Sequence, residues 1–108
     1  MVNNEHHLNR VFHALADPTR RKILAHIASR EATVGDLAEP FSISAPAISK
    51  HLKTLESASL INRIKEGKTH RFQLNTQALQ SAQSTINQLT TFWLQRLANL
   101  ESFLNQEQ

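Results

Sequence analysis

Small, hydroxyl-bearing and basic side chains gather in the segment "SISAPAISKHLK", residues 42–53. Ile48, Leu52 and Leu55 recur at i, i+4 and i+7, a spacing that would hold one edge of a helix against a core. The opposite side then carries Lys50, which can reach a guanine edge or a phosphate, beside small residues that let the backbone approach base edges. Taken alone, the pattern is equally consistent with an ordinary exposed helix face. The residues that we predict to contact DNA from this helix are Ser44, Ala45, Pro46, Ala47, Ser49, Lys50, His51 and Lys53.

A short basic hairpin is predicted directly after this helix. Residues 61–65 and 69–74 are rich in β-branched and alternating residues, and Gly67 in the intervening Glu66-Gly67-Lys68 turn supplies a positive φ. Phe72 would face the core. A cationic hairpin tip beside a DNA-reading helix can contact the phosphate backbone or the minor groove. The alternative is a hairpin kept soluble by its charges, but the order of elements favours DNA contact. The predicted contacts are Lys65, Gly67, Lys68, His70 and Arg71.

The positive charge of the chain is concentrated in this region. Residues 44–75 carry six Lys or Arg and two acidic residues, a local balance of +4, whereas the whole chain has a net charge of +3. The remainder of the chain therefore carries a slight negative charge. A local positive field of this kind indicates a polyanionic partner that docks on one part of the molecule.

Composition excludes several classes of protein. The chain has 108 residues and no cysteine, so disulfide scaffolds, thiolate metal sites and thiol nucleophiles are ruled out. No apolar run approaches the length of about 18 residues that a transmembrane helix needs, and the N-terminus lacks the apolar core of a signal peptide. We therefore expect a cytoplasmic protein without membrane partners. No Ser-His-Asp pattern, Gly-rich phosphate loop or pair of catalytic carboxylates can be assembled, so an enzyme is not expected.

Several local signals define the elements that must position the basic residues. Asp17, Thr33 and Ser44 are favourable N-cap residues, and Pro18 and Pro46 fall in the first turns that follow two of them. With an amphipathic helix before Asp17, these signals predict four helices, then the hairpin, then a long final helix. This is a mainly α chain of the α+β winged-helix type, in one domain spanning residues 1–108. A short helix, a turn and a second capped helix form a helix-turn-helix, whose second helix enters the major groove.

The final helix is predicted to be long and to pair with a second copy of the chain. Residues 76 to about 106 contain neither Gly nor Pro, and their apolar residues recur at steps of three and four. Burying ~1,500 Å² between two chains at ~25 cal/mol per Å² would favour association by tens of kcal/mol before the large entropic costs. We therefore expect a homodimer. The seam positions are Leu79, Ala82, Ile86, Leu89, Trp93, Leu97, Leu100 and Leu104.

The chain resembles the ArsR-type winged-helix transcriptional repressors over nearly its whole length. The stretches that carry the resemblance are "FHALADPTRRKILAHI", "VGDLAEPFSISAPAISKHLKTLESASLI", "KEGKTHRFQL" and "FWLQRLANLESFL". The resemblance implies a homodimer formed by the first and last helices, which binds operator DNA with two recognition helices and two wings and represses its own or adjacent genes. The interface residues that it implies are Leu8, Phe12, Leu89, Trp93, Leu97 and Leu100.

The departures from that family concern metal binding. Its metal sensors carry a Cys-x-Cys pair around the third helix, where this chain has Thr33 and Gly35. Their alternative zinc site needs histidine and acidic ligands along the last helix, which here has no histidine. The tail, with Trp93 and "RLANL", resembles the metal-independent branch of the family. No metal, no cofactor and no identified effector are therefore expected. A site built from His6 and His13 across a dimer is conceivable, but solvated surface histidines are the favoured interpretation.

Two functions from different classes are consistent with these sequence features. The favoured one is a dimeric, sequence-specific DNA-binding transcriptional regulator whose partner is double-stranded operator DNA. The alternative is a protein-interaction module that uses the winged-helix fold without DNA. The charge of residues 44–75 argues against the alternative, because a protein partner does not require a concentrated positive field.

Overall fold

The structure of the protein, a computed structural model, describes residues 4–106. Its order of elements confirms the mainly α, winged-helix architecture, with a helix-turn-helix, a hairpin and a long C-terminal helix. In chain order the elements are α1 (Asn4–Leu15), α2 (Pro18–Ser29), β1 (Ala32–Thr33), α3 (Val34–Phe41), α4 (Ala45–Ser57), β2 (Ile61–Glu66), β3 (Thr69–Leu74) and α5 (Thr76–Gln106).

The predicted N-caps begin the helices as expected. The Asp17 carboxylate accepts the backbone N–H of Arg20 at 2.9 Å at the start of α2. The Ser44 hydroxyl accepts the backbone N–H of Ala47 at 3.3 Å at the start of α4. Each cap satisfies one of the backbone donors that a helix N-terminus leaves unpaired, which fixes where the helix begins.

The sheet has three strands in the order β1-β3-β2, all antiparallel. The β2–β3 hairpin was predicted, but β1 was not, because two residues are too few to show an alternating pattern. The hairpin is also tighter than predicted. Glu66 pairs with Thr69, so that the turn consists of Gly67 and Lys68 alone, with Gly67 at a φ of 62°. A two-residue turn with positive φ matches the right-handed twist of the strands.

The core lies between the helix-turn-helix and the inner face of the sheet. Ile48, Leu52 and Leu55 are fully buried, which confirms the predicted inner edge of α4, and Phe72 of β3 is 1% exposed. This single buried cluster includes residues from all eight elements and so holds them in one body. The other fully buried large side chains are Val11, Ile23, Leu37, Leu60 and Ile61.

The last helix joins this core only at its start. Ala78 and Ala82 are buried and Leu79 packs against the core, where the first turns of α5 meet α1. Beyond them, the large apolar side chains of α5 are left uncovered by the other described residues, 4–106. None of the helices between residues 4 and 106 has both the length and the hydropathy required to span a bilayer.

Candidate nucleic-acid interface

The turn of the helix-turn-helix is fixed by backbone hydrogen bonds. Ser42 follows α3 in the left-handed conformation, with a φ of 52°. Its N–H donates to the carbonyl of Glu39 at 3.1 Å, and the N–H of Ile43 donates to the carbonyl of Ala38 at 3.2 Å. Both hydrogen bonds satisfy carbonyls at the end of α3, and the left-handed conformation of Ser42 ends the helix and changes the direction of the chain there. Consequently α4 starts at a defined angle directly after the Ser44 cap.

The start of α3 carries a reciprocal capping box. The Asp36 N–H donates to Thr33 Oγ1 at 3.2 Å, and the Thr33 N–H donates to Asp36 Oδ2 at 3.0 Å. The hydrogen bond from the Thr33 backbone, followed by that from its side chain, lowers the pKa of Asp36, and the charges of Arg71 and Arg30 lower it further. Thr33 also belongs to β1, so the cap ties the helix-turn-helix to the sheet.

The second helix, α4, presents its basic side to solvent and is called the recognition helix from here on. Ala47 and His51 among its predicted contacts are half-buried. The backbone N–H of Arg20 lowers the pKa of Asp17, and His51 contributes to the same shift, so His51 lies near the start of α2. The predicted contacts that are exposed are Ser44, Ala45, Pro46, Ser49, Lys50 and Lys53.

A short connection of three residues, 58–60, joins the end of the recognition helix to the hairpin. Ser59 is left-handed, with a φ of 59°; its N–H donates to Glu56, and the N–H of Leu60 donates to Leu55 at 3.0 Å. Leu55 and Leu60 are both fully buried, which is the apolar contact that accompanies this type of helix end. The β2–β3 hairpin, called the wing from here on, therefore leaves the body at a position set by the end of the recognition helix.

A cleft of about 450 Å³ lies between the recognition helix and the wing. It brings Lys53 of the helix and Lys68 of the hairpin tip to one surface. The residues of the helix and the wing that line it are Ser49, Leu52, Lys53, Arg63, Lys68, Thr69, His70 and Phe72. Residues 33–35, at the start of α3, form its third wall. The structure confirms the start of α3 at Thr33 that the sequence predicts, but the position of residues 33–35 beside the cleft was not predicted, because it depends on how α3 packs against the sheet.

The predicted wing residues are divided between the two faces of the hairpin. Lys65 pairs across the strands with His70 and lies on the face that carries Phe72. Arg71 lies on the opposite face, within 4.0 Å of Glu31 and 3.9 Å of Glu66. Gly67 and Lys68 form the tip. The structure thus brings Lys68 and His70 to the cleft of the recognition helix but places Arg71 away from it.

Lysine charge on this surface is not neutralised by neighbouring acids. Within residues 4–106, the three ion pairs involve only arginines as cations, so Lys50, Lys53, Lys65 and Lys68 have no carboxylate partner. All four of these lysines are exposed. Uncompensated cations on one side of a molecule attract a polyanion and release its counterions on contact.

Two of the histidines outside the wing make structural contacts. His7 Nε2 lies 3.2 Å from the carbonyl of Ala58, and the ring of His26 meets that of Phe41 edge-on at 6.0 Å. His6 and His13 line a groove between α1 and the recognition helix. In the part of the chain that the structure describes, no three His, Cys, Asp or Glu side chains lie close enough together to hold a metal ion.

Comparison with known proteins places this surface in context. A helix-turn-helix domain family matches residues 15–64. The transcriptional repressor SdpR of Bacillus subtilis is 45% identical over 75 residues, which cover 69% of this chain and 83% of that protein.

Solved structures show the same likeness in three dimensions. The crystal structure of an ArsR family transcriptional regulator is 31% identical, with a TM-score of 0.77 over 86% of this chain and 96% of that one. The solution structure of a homodimeric winged helix-turn-helix DNA-binding domain from Mycobacterium bovis is 24% identical, with a TM-score of 0.61 over 87% of this chain and 80% of that one. At 24% identity, the second of these likenesses supports the fold alone.

Proposed function

The chain belongs to the ArsR family of winged-helix transcriptional repressors, and from this premise we propose that it binds a two-fold symmetric operator as a homodimer and represses its own or adjacent genes. The observation that carries this proposal is the cleft that Lys53 and Lys68 both line. Through this cleft, the recognition helix and the wing form one cationic surface. Its relatives with assigned roles are transcriptional regulators, in keeping with binding rather than catalysis.

The recognition helix is proposed to enter the major groove with its first turns. The groove is about 12 Å wide and accepts a helix. Ala45 and Pro46 add little bulk there, so the backbone can approach the base edges, while Ser49 and Lys50 lie on the exposed side of the helix. In this arrangement Lys50 reads a base and Lys53 contacts a phosphate.

The wing is proposed to hold the register of the protein on the duplex. Lys68 at the turn and Lys65 along β2 extend the positive surface beyond the recognition helix. Contacts to phosphate or to the minor groove fix position but carry little sequence information. Arg71, paired with Glu31 and Glu66 on the other face, is assigned no direct DNA contact in this arrangement.

Two copies are proposed to pair through α5 together with α1. Eight large apolar side chains of α5 are between 51% and 61% exposed, and Phe12 of α1 is 37% exposed. An apolar stripe of that extent on a chain of this size marks an interface, because single proteins seldom leave such a surface in water. Leu8 is half-buried against the core and contributes at the edge of the pairing. The eight side chains are Leu89, Phe92, Trp93, Leu94, Leu97, Leu100, Phe103 and Leu104.

Selection of bound fragments from a random DNA pool by the purified protein tests the proposal. We expect enrichment of a two-fold symmetric site, with half-sites about one helical turn, ~34–36 Å, apart. This spacing follows because a two-fold dimer presents its two recognition helices on the same side of the duplex. Absence of enrichment at low salt would favour the protein-interaction module.

Lys50→Ala is expected to weaken binding to the selected site by about 1–3 kcal/mol and to relax the base preference at one position. The physical reason is that the guanine acceptors bound by a lysine occur only at that base pair, so removing the lysine relaxes the preference at that position alone. Affinity measured against the selected site and against its single-base variants checks the prediction. An equal loss on all sequences would show that Lys50 contacts only a phosphate.

A further inference from the structure

Arg63, which was not among the predicted DNA contacts, joins three elements. It lies on β2 and its guanidinium donates two hydrogen bonds to Glu56 of the recognition helix, Nε to Oε2 at 3.2 Å and Nη2 to Oε1 at 3.0 Å. Its Nη1 donates to Nδ1 of His70 on β3 at 2.7 Å. The guanidinium also lies 4.9 Å from the centre of the Phe72 ring.

Each of these contacts uses a property that is specific to arginine. The planar guanidinium can offer parallel N–H groups to one carboxylate and still donate a further N–H elsewhere, which a lysine ammonium cannot do in a fixed orientation. The Arg63 and Glu56 side chains are only 27% and 35% exposed, so water competes with the pair less than at an open surface. The arrangement therefore restrains the angle between the two strands and the helix.

The wing needs such a restraint because little else holds its outer half. Ile61 and Phe72 are the buried residues of the two wing strands, and every residue from Lys65 to Thr69 is exposed. β1 pairs with β3 only at Arg71 and Phe72, so the outer half of the wing is two-stranded, and a two-stranded hairpin is at best marginally stable by itself. Arg63 and His70 line the cleft towards the recognition helix and also a second cleft, which Glu56, Ile61 and Lys65 line as well, so the cluster lies between two clefts at the base of the wing.

We propose that Arg63 is a positioning residue that, through Glu56 and His70, fixes the wing relative to the recognition helix so that Lys68 meets the DNA backbone when the helix lies in the groove. This inference rests on the proposed DNA-binding function. The geometry of the wing can nevertheless be measured without DNA, which separates a failure of the inference from a failure of the proposed function.

The first test measures wing position in the free protein. Because the chain has no cysteine, Ser57→Cys and Lys68→Cys introduce two unique sites for spin labels, one at the end of the recognition helix and one at the wing tip. The labelled protein is diluted into excess unlabelled chain so that distances within one chain are recorded by pulsed EPR. We expect one narrow distribution, which Glu56→Ala broadens. A distribution that stays narrow in Glu56→Ala would overturn the inference.

The second test compares two substitutions that remove the same charge. Glu56→Ala and Glu66→Ala each remove one carboxylate. Among residues 4–106, the ion-pair partner of Glu66 is Arg71 on the opposite face, at the longer distance of 3.9 Å. General electrostatics alone would strengthen DNA binding in both variants. The positioning role predicts instead that Glu56→Ala weakens binding about tenfold while Glu66→Ala leaves it equal or tighter. Equal strengthening in both would contradict the role.

A double-mutant cycle shows whether the effect passes through the wing tip. Lys68→Ala is expected to weaken binding about fivefold in the otherwise unchanged protein and less than about twofold when combined with Glu56→Ala. Arg63→Lys keeps the charge but cannot donate two parallel N–H groups to Glu56, so it should behave like Glu56→Ala. Agreement between these two variants would argue against a folding defect as the cause in either one. Additive effects of Glu56→Ala and Lys68→Ala would count against positioning. If the unchanged protein binds no DNA, the proposed function fails, and the EPR result still decides the geometry.

Discussion

Leu97→Glu is expected to convert the homodimer into monomers. Leu97 is 59% exposed on the uncovered stripe of α5, where its side chain would be buried by the partner. A carboxylate at this position must lose its water without gaining a partner, and the two-fold axis would bring two such charges into one apolar interface. Sedimentation velocity at micromolar concentration measures the outcome, and a dimer that stays intact would exclude this part of α5 as the interface.

The same substitution should nearly abolish operator binding. A monomer retains one recognition helix and one wing, so the second half-site no longer binds as part of the same molecule. Loss of that linkage lowers affinity by about 10²–10⁴-fold. Gln95→Glu is the matched control, because it adds the same charge to the polar face of α5 and should leave both the dimer and the affinity intact.

The affinity for operator DNA is expected to fall about 10³-fold or more between 50 and 200 mM salt. This magnitude corresponds to about 6–10 phosphate contacts for the dimer, each of which releases condensed counterions from the duplex. Lys53, Lys65 and Lys68 have no carboxylate partner within residues 4–106, and on two chains they can supply six such contacts. A titration by fluorescence anisotropy gives the slope of log affinity against log salt concentration.

Neutralising one lysine provides the internal control for this titration. Lys53→Gln should reduce the salt slope by about one unit for each recognition helix that contacts a phosphate there. Base preference should stay the same, because phosphate contacts carry no sequence information. A chain whose affinity for DNA ignores salt would point to the protein-interaction alternative, since an interface without phosphates releases no counterions.

Local features of the fold could be predicted from the sequence because their causes lie within a few residues. The Asp17 and Ser44 caps each depend on a side chain and a backbone N–H three residues later. The inner edge of the recognition helix follows from the spacing of Ile48, Leu52 and Leu55. Periodicity likewise defined α5, whose bounds, Thr76–Gln106, agree with the prediction. The assignments of DNA contacts on these elements stay predictions until binding is measured.

Contacts between different elements of the fold were decided by the tertiary structure. The register of the strands and the packing of the hairpin determine three sets of contacts. These are the pairing of Ala32 with Phe72, the ion pairs of Arg71 with Glu31 and Glu66, and the paired hydrogen bonds from Arg63 to Glu56. By sequence, Arg63 and Arg71 are equivalent basic residues of one hairpin. An eight-residue separation across a turn places them on opposite faces only once the register is set, because the face of each side chain alternates along a strand.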